Sequence, residues 1–369
     1  MIDHDELAAW LRLVETPKVG REAARRLLTA FGSPEAVMAA SFDNHCLVVG
    51  EAAARGLMTP PAHFNEKLAR TLAWLGEGAD DAARTVIPLG DVRYPPQLLD
   101  TADPPLLLYA QGQVDLLRSE AVAIVGSRNP TPQGALNARE FAQALGKAGW
   151  VVVSGLALGV DGAAHEGALA ASAGTIAVVG TGLDRVYPRR HLDLAHRIAR
   201  AGLMLSEYGL GTPALAAHFP QRNRLIAGLS RGTLVVEAAL QSGSLITARL
   251  ALEAGREVFA IPGSIHSPQS RGCHALIKQG AKLVESAADV QDELPALAAV
   301  GPRATTAVDA AKPDDPLLAA MGYEVISLDA LVARTGWSAQ TLNIKLLDLE
   351  LSGHVTRMPG QLFQRITAG

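Results

Sequence analysis

Seven short apolar runs recur through the middle of the chain, and helix-like stretches separate them. The runs are "AVAIVG" from Ala121, "WVVVSG" from Trp150, "TIAVVG" from Thr175, "LMLSEY" from Leu203, "TLVVEA" from Thr233, "EVFAIPG" from Glu257 and "AKLVES" from Ala281. Between them lie amphipathic segments such as "GALNAREFAQALGKAG" and "LITARLALEAG". Strands that are apolar on both faces belong in a parallel sheet covered by helices on either side. Strict alternation of strand and helix points to a doubly wound α/β sheet.

The flanks follow other rules. Before residue 83, "ELAAWLRLVE", "REAARRLLTAFG" and "AHFNEKLARTLAWLGEG" repeat apolar residues every three or four positions, so 1–82 is expected to be a helical domain. The sheet domain is expected over 83–295. A linker rich in Ala, Pro and Thr follows over 296–316, and a small module over 317–369. In that module, "SLDALVARTG" reads as a helix stopped by glycine. "SAQTLNIKLLDLELSG" reads as a second helix capped by Ser338, and "HVTRMPGQLFQRI" as a hairpin turning at Pro359-Gly360. Helix, turn, helix, hairpin is the winged-helix order.

Composition excludes several classes. The 369 residues suffice for two or three domains, and 49% are hydrophobic. A net charge of -4 excludes a uniformly basic nucleic-acid binder, so any such binding is local. Cys46 and Cys273 stand alone, without a C-x-x-C, so neither a disulfide framework nor a cysteine zinc site is expected. "MIDHDELAAW" is not a signal peptide, and no run of about 20 unbroken apolar residues occurs. A cytoplasmic, soluble protein is expected, with no membrane contact and no cofactor.

Ligands of open parallel sheets bind beyond the carboxyl ends of the strands. Three of those ends carry glycine here, at Gly126-Ser127-Arg128, Ser154-Gly155 and Gly180-Thr181-Gly182. Glycines there let backbone N–H groups approach an anion near the helix starts. The pattern is not G-x-G-x-x-G. Arg128 stands where a second glycine would, Pro130 and Pro132 stiffen the loop, and no acid is placed for a ribose, which argues against NAD. Arg128 is a candidate to pair a phosphate or to close an internal ion pair. From Tyr208 to Val284 eight cations face three acids, eight minus three being +5, and Arg185, Arg189 and Arg190 follow the third strand. Such asymmetry suits a polyanion along one face, although solvated helix faces account for most charge runs. Tyr187, His191 and Phe219 could stack on unpaired bases, packing being the expectation for Phe219. "SGSLITA", with Ser244 and Thr247, reads as a helix start offering hydroxyls to a phosphate or to the helix itself.

Two features invite a catalytic reading. Asp161 and His165 lie one helical turn apart, but no third ligand or nucleophile accompanies them, and Asp161 is expected to cap its helix. Gly232, Thr233 and Glu237 faintly suggest a nucleotide or nucleoside-phosphate hydrolase on the same fold, although Ser230 and Arg231 replace the glycines such a loop wants.

Taken together, "AIVGSRNPTPQG", "VVSGLALGVDGAAHEGAL", "AVVGTGLDRVYPRRH", "SEYGLGTPALAAHFPQRNRLIAGLS" and "GCHALIKQGAKLV" resemble the DprA/Smf family of DNA-processing proteins. The tail is similar to that family's winged helix, and the first domain sits where the family carries a variable helical (SAM or helix-hairpin-helix-like) domain. The resemblance implies an extended Rossmann-like fold and a non-enzymatic homodimer paired through that domain. It implies binding of single-stranded DNA, protection of incoming strands in natural transformation, and loading of the RecA recombinase. It places the family's G-S/T-R loop on Gly126, Ser127 and Arg128, its next basic residue on Arg189 beside Arg190, and its Arg-Asn pair on Arg222 and Asn223 of a loop. With Gly155, Gly182, Ser244 and Thr247, these are the expected DNA-binding residues. Lys18 replaces the first glycine of the hairpin in "TPKVGREAARRLLTAFGS", so packing or partner docking competes with DNA binding there. The last long helix holds one lysine and two acids, which suits protein contact better than duplex readout.

Overall fold

A computed structural model of the chain describes residues 2–77, 82–294, 315–322 and 325–366. The expected linker lies outside the described residues except for Asp315 and Pro316, which start a helix.

The N-terminal helices are α1 (His4–Glu15), α2 (Arg21–Phe31), α3 (Pro34–Ala39), α4 (Phe42–Val49), α5 (Glu51–Leu57) and α6 (Phe64–Gly76). Asp3, Ser33 and Ser41 cap α1, α3 and α4 by accepting N–H bonds in their first turns. Between α1 and α2, Lys18 takes φ 67°, the left-handed conformation that glycine would adopt freely. The hairpin backbone is thus kept without the glycine.

Then come β1 (Arg84–Pro88), β2 (Leu107–Gly112), β3 (Ala121–Val125), α7 (Pro132–Lys147), β4 (Val151–Ser154), α8 (Val160–Leu169), β5 (Thr175–Val178), α9 (Leu192–Ala201) and β6 (Leu203–Ser206). They are followed by α10 (His218–Gly228), β7 (Gly232–Val235), α11 (Ser244–Glu253), β8 (Glu257–Ala260), α12 (Arg271–Lys278), β9 (Lys282–Leu283) and α13 (Ala287–Glu293). The nine strands form one sheet in the order β1-β2-β6-β5-β4-β3-β7-β8-β9. All seven expected strands are present, and each neighbouring pair among them is parallel. β3 is buried at all five positions, as a strand covered on both faces must be. Val122 and Ile124 pack under α7 and α8 on one face. Ala123 and Val125 pack under α10 and α11 on the other. The order reverses between β3 and β7, so the fold is doubly wound with its switch point there.

The β1–β2 pair was not anticipated. It joins the sheet antiparallel to β6 and turns its outer side chains to the helical domain. Val86, Leu107 and Tyr109 share one cluster with Leu7, Trp10 and Trp74. The two units therefore meet through a common apolar core.

The C-terminal module comprises α14 (Pro316–Met321), β10 (Ile326–Ser327), α15 (Leu328–Thr335), α16 (Ala339–Leu351), β11 (Val355–Met358) and β12 (Leu362–Arg365), the strands ordered β10-β12-β11. Gly336 ends α15, Ser338 caps α16, and Gly360 at φ 86° turns the β11–β12 hairpin. The module is a winged helix with one more helix and one more strand than the sequence reading expected. Among the described residues, no helix is long and apolar enough to cross a membrane.

Candidate functional site

A cavity of about 760 Å³ opens at the switch point, beyond the carboxyl ends of β3 and β7. Three segments wall it: the loop after β3, the first turns of α10, and the start of α11. Seven of the eleven expected residues line it, namely Gly126, Ser127, Arg128, Arg222, Asn223, Ser244 and Thr247. Arg222 and Asn223 sit on α10, where a loop had been expected. Tyr187, Phe219 and Gln241 also line the cavity.

Arg128 forms no ion pair among the described residues. It is exposed, and its guanidinium lies over the Phe219 ring at 5.6 Å from the centroid. Phe219 in turn tilts against Tyr187, centroids 5.4 Å apart, and Tyr187 is 49% exposed. Phe219 therefore packs, as expected, but packs as part of the cavity wall. The loop carrying Arg128 is held by the Ser127 N–H, which donates to the Glu237 carbonyl at 2.7 Å. A guanidinium on a fixed loop beside two rings offers a phosphate contact and a base-stacking surface together.

Arg222 differs in kind. It is 3% exposed, and its Nη1 donates to the Val178 carbonyl at 2.5 Å. Burial pulls its pKa down to about 10, and the Asp161 carboxylate opposes the shift. Burial raises the Asp161 carboxyl, and the Arg222 charge pulls it back. Asp161 does not cap α8. Gly159 holds that position, and Asp161 Oδ2 accepts the Ala157 N–H at 3.2 Å. Its partner in the catalytic reading, His165, is sealed in the core with Nδ1 2.8 Å from Thr175 Oγ1. Burial lowers its pKa to about 3. Among the described residues, no group of three metal-ligating side chains occurs.

Four expected residues do not reach the wall. A Cβ on Gly155 would collide with the Arg222 guanidinium, so that glycine makes room for an arginine of the same chain. Gly182 is closed off by Asp184 and the Gly209 carbonyl. Arg189 and Arg190 lie exposed in a short turn outside the lining. A Cβ on Gly126 would likewise meet Val160 at 2.7 Å and the Glu237 carbonyl at 2.9 Å, so the idea of three glycine ends presenting N–H groups to one anion is corrected: backbone and side chains of the protein pack against all three.

The same holds at α7, where a dinucleotide fold keeps its phosphate. Glu237 accepts from the Thr131 N–H at 2.9 Å and the Thr131 hydroxyl at 2.6 Å. The Thr131 hydroxyl accepts from the Gly134 N–H, and Gln364 of β12 accepts from the Gln133 N–H at 3.4 Å. A side chain at 134 would strike the Glu237 carboxylate. Glu237, the acid of the hydrolase-like motif, is thus bound beneath the loop and does not line the cavity. The start of α11 holds no acid in its first turn, but its N–H groups are bonded within the chain: the Ser244 N–H donates to Ser242 Oγ at 3.3 Å, and the Leu245 and Ile246 N–H groups donate to the Ser242 and Gly243 carbonyls at 3.1 Å. The Ser242 and Ser244 hydroxyls bond each other at 2.7 Å.

The basic stretch also needs correction. Of the eight cations between Tyr208 and Val284, five are held by carboxylates. Arg224 pairs with Glu207, Arg231 with Glu120, Arg249 with Glu253, Arg256 with Asp100, and Lys282 with Glu293. Arg222 is buried. The local excess of +5 is mostly structural, because each partner comes from outside the counted segment or from the same helix face. The acids of the sheet domain's other loops had escaped a count made along one stretch of sequence.

A profile of the family described as DNA recombination-mediator protein A matches residues 85–295, and one of the DprA winged helix domain matches residues 301–361. Protein Smf of Escherichia coli is 43% identical over 298 residues, covering 79% of both chains. The DNA processing protein DprA of Streptococcus pneumoniae is 52% identical over 200 residues, 54% of this chain and 71% of its own. The X-ray structure of that streptococcal protein superposes with a TM-score of 0.67 at 38% identity, over 80% of this chain and 99% of its own. A Helicobacter pylori DNA processing protein A, described for its single-stranded DNA binding mode, aligns with a TM-score of 0.51 at 35% identity, over 56% of this chain and 94% of its own.

Proposed function

The chain belongs to the DNA recombination-mediator protein A family, and from that premise we propose that it binds single-stranded DNA without sequence preference in the switch-point cavity, protects incoming strands during natural transformation, and helps load the RecA recombinase. The observation that carries the reading is Arg128, exposed and unpaired, set over Phe219 beside the exposed Tyr187. A strand phosphate pairs with the guanidinium while an unpaired base stacks on the rings. Every base has a face to stack, so such a wall tolerates any sequence. A duplex keeps its bases inside and cannot use it. Ser244, at the acid-free start of α11 on the cavity wall, offers a second phosphate contact. The reading is of a binder rather than a catalyst: the acid of the hydrolase-like motif is bound to Thr131, and His165 is sealed from the cavity. A homodimer through the sheet domain is part of the same reading, resting on family membership.

The test is oligo-dT binding across a salt series. The slope of log affinity against log salt is expected near -0.7 for each phosphate neutralised, with equal affinity for mixed-sequence strands of the same length. Affinity independent of salt, or confined to one sequence, would overturn the reading.

A further inference from the structure

Helix α10, one of the three segments that wall the cavity, is tied to the N-terminal domain by a partly buried ion cluster. Arg224 of α10 donates to Glu207 Oε2, and its Nε lies 3.6 Å from Asp103 Oδ2. From α2, Arg21 reaches the same two acids, at 2.6 Å to Asp103 Oδ2 and 3.2 Å to Glu207 Oε2. Arg25 holds the other Asp103 oxygen at 2.8 Å and the Pro104 carbonyl at 3.0 Å. The Glu207 side chain is 4% exposed and that of Arg224 11%. Three guanidiniums share two carboxylates, and Arg21 and Arg224 share a single oxygen of Glu207. That oxygen is a fixed point only while both cations hold it. The residue after Glu207 adds a second hold on α10. Tyr208 stacks on His218 at 4.0 Å between centroids and donates its hydroxyl toward Gln221 Oε1 at 3.2 Å. Glu207 and Tyr208 thus grip the helix from which Phe219, Arg222 and Asn223 face the cavity.

We infer that the N-terminal helical domain sets the DNA site, with Arg21 as a positioning residue that fixes α10 through Glu207 and Arg224. The inference rests on the single-strand reading of the cavity. Nothing in the cluster touches the cavity itself, since neither Arg21, Asp103, Glu207 nor Arg224 lines it. The coupling is therefore mechanical: a buried ion pair keeps its geometry only if each charge stays partnered, and a small displacement of α10 misplaces Asn223 and the Phe219 ring together. Arg21 is the member to perturb, because its side chain is 34% exposed and its loss leaves two cations on two acids. The fold then survives, whereas Glu207→Ala would strand buried cations.

The experiment compares full-length wild type, Arg21→Ala and Arg21→Lys, well below their unfolding temperatures. Oligo-dT affinity is expected to fall about threefold to tenfold in Arg21→Ala, with partial recovery in Arg21→Lys. The slope against log salt should not change, because no phosphate contact is lost; a direct contact would lower it by about 0.7. In the free proteins, amide exchange over residues 218–228 should quicken in Arg21→Ala while β3 stays protected. Unchanged affinity and exchange would overturn the inference, as would a reduced salt slope. Should wild type fail to bind oligo-dT, the single-strand reading falls, while the exchange arm still decides whether α2 holds α10.

Discussion

Replacing Arg128 by alanine separates a ligand-facing arginine from a structural one. In the structure its guanidinium touches the Phe219 ring and no carboxylate. An exposed cation–π contact contributes about 0.5–1 kcal/mol. Its loss should lower the melting temperature by no more than about 2–4 °C in a domain of this size. A phosphate held by a charge-assisted hydrogen bond contributes about 1.5–3 kcal/mol. At about 1.4 kcal/mol per decade, oligo-dT affinity should fall roughly tenfold to a hundredfold. The salt slope should become shallower by about 0.7, one phosphate fewer being neutralised. Arg128→Lys keeps the charge and loses the planar fork, so it should fall between the two. Fluorescence anisotropy with labelled oligo-dT and thermal melts of the same preparations measure both quantities. A folded Arg128→Ala protein with wild-type affinity removes the residue from the site, and a large stability loss with proportionate loss of binding assigns it to the fold.

Stability should depend on pH through His165. Its folded pKa is depressed to about 3 by burial, against about 6.5 unfolded, so the stabilisation it allows is complete above pH 6.5 and is lost as pH falls toward 3. At pH 4.5 the loss should be about 2–3 kcal/mol, and denaturant titrations of His165→Gln should lack that part of the pH dependence; equal pH dependence in variant and wild type would refute it. Removal of residues 301–369 should leave oligo-dT affinity within about threefold, because none of the residues lining the cavity belongs to the winged helix, whose Gln364 accepts the Gln133 N–H at the start of α7; a folded truncation that binds tenfold worse or more would show that the module is part of the site.

Which features the sequence disclosed follows from how local their causes are. The seven parallel strands were legible because burial on both faces writes a continuous apolar run, and β3 to β7 obey it. The caps Ser338 and Gly336 were legible because each acts on its own helix end. β1 and β2 were missed because they join the sheet antiparallel, without a crossover helix to mark them, and because the cluster around Trp10 and Trp74 that covers one of their faces lies far away in sequence. The charge reading failed for the same reason. Glu120, Asp100 and Glu207 neutralise cations more than a hundred residues away or across a loop, and no window along the chain brings them together. Tyr187 and Phe219 were named as possible stacking residues, but only the fold sets one ring against the other and under Arg128.

The frame of a dinucleotide-binding fold without its ligand has a physical explanation in the helix starts. A helix N-terminus attracts an anion whatever its source. At α7 the anion is internal: burial raises the pKa of Glu237, and the N–H and hydroxyl of Thr131 hold its carboxylate. At α8 it is internal again, because Asp161 sits in the first turn against Arg222. A phosphate entering either place would have to displace a carboxylate that the fold itself requires, and like charges at that distance repel. The start of α11 has no acid in its first turn, and it opens on the same cavity as Arg128. Anion capacity has thereby moved from the first helix of the fold to the helix after the strand beyond the switch point. There it lines the same cavity as the arginine loop and the Tyr187 and Phe219 rings. Under the proposed function such a wall suits a chain of phosphates linked by unstacked nucleotides. It does not suit the compact pyrophosphate of a dinucleotide.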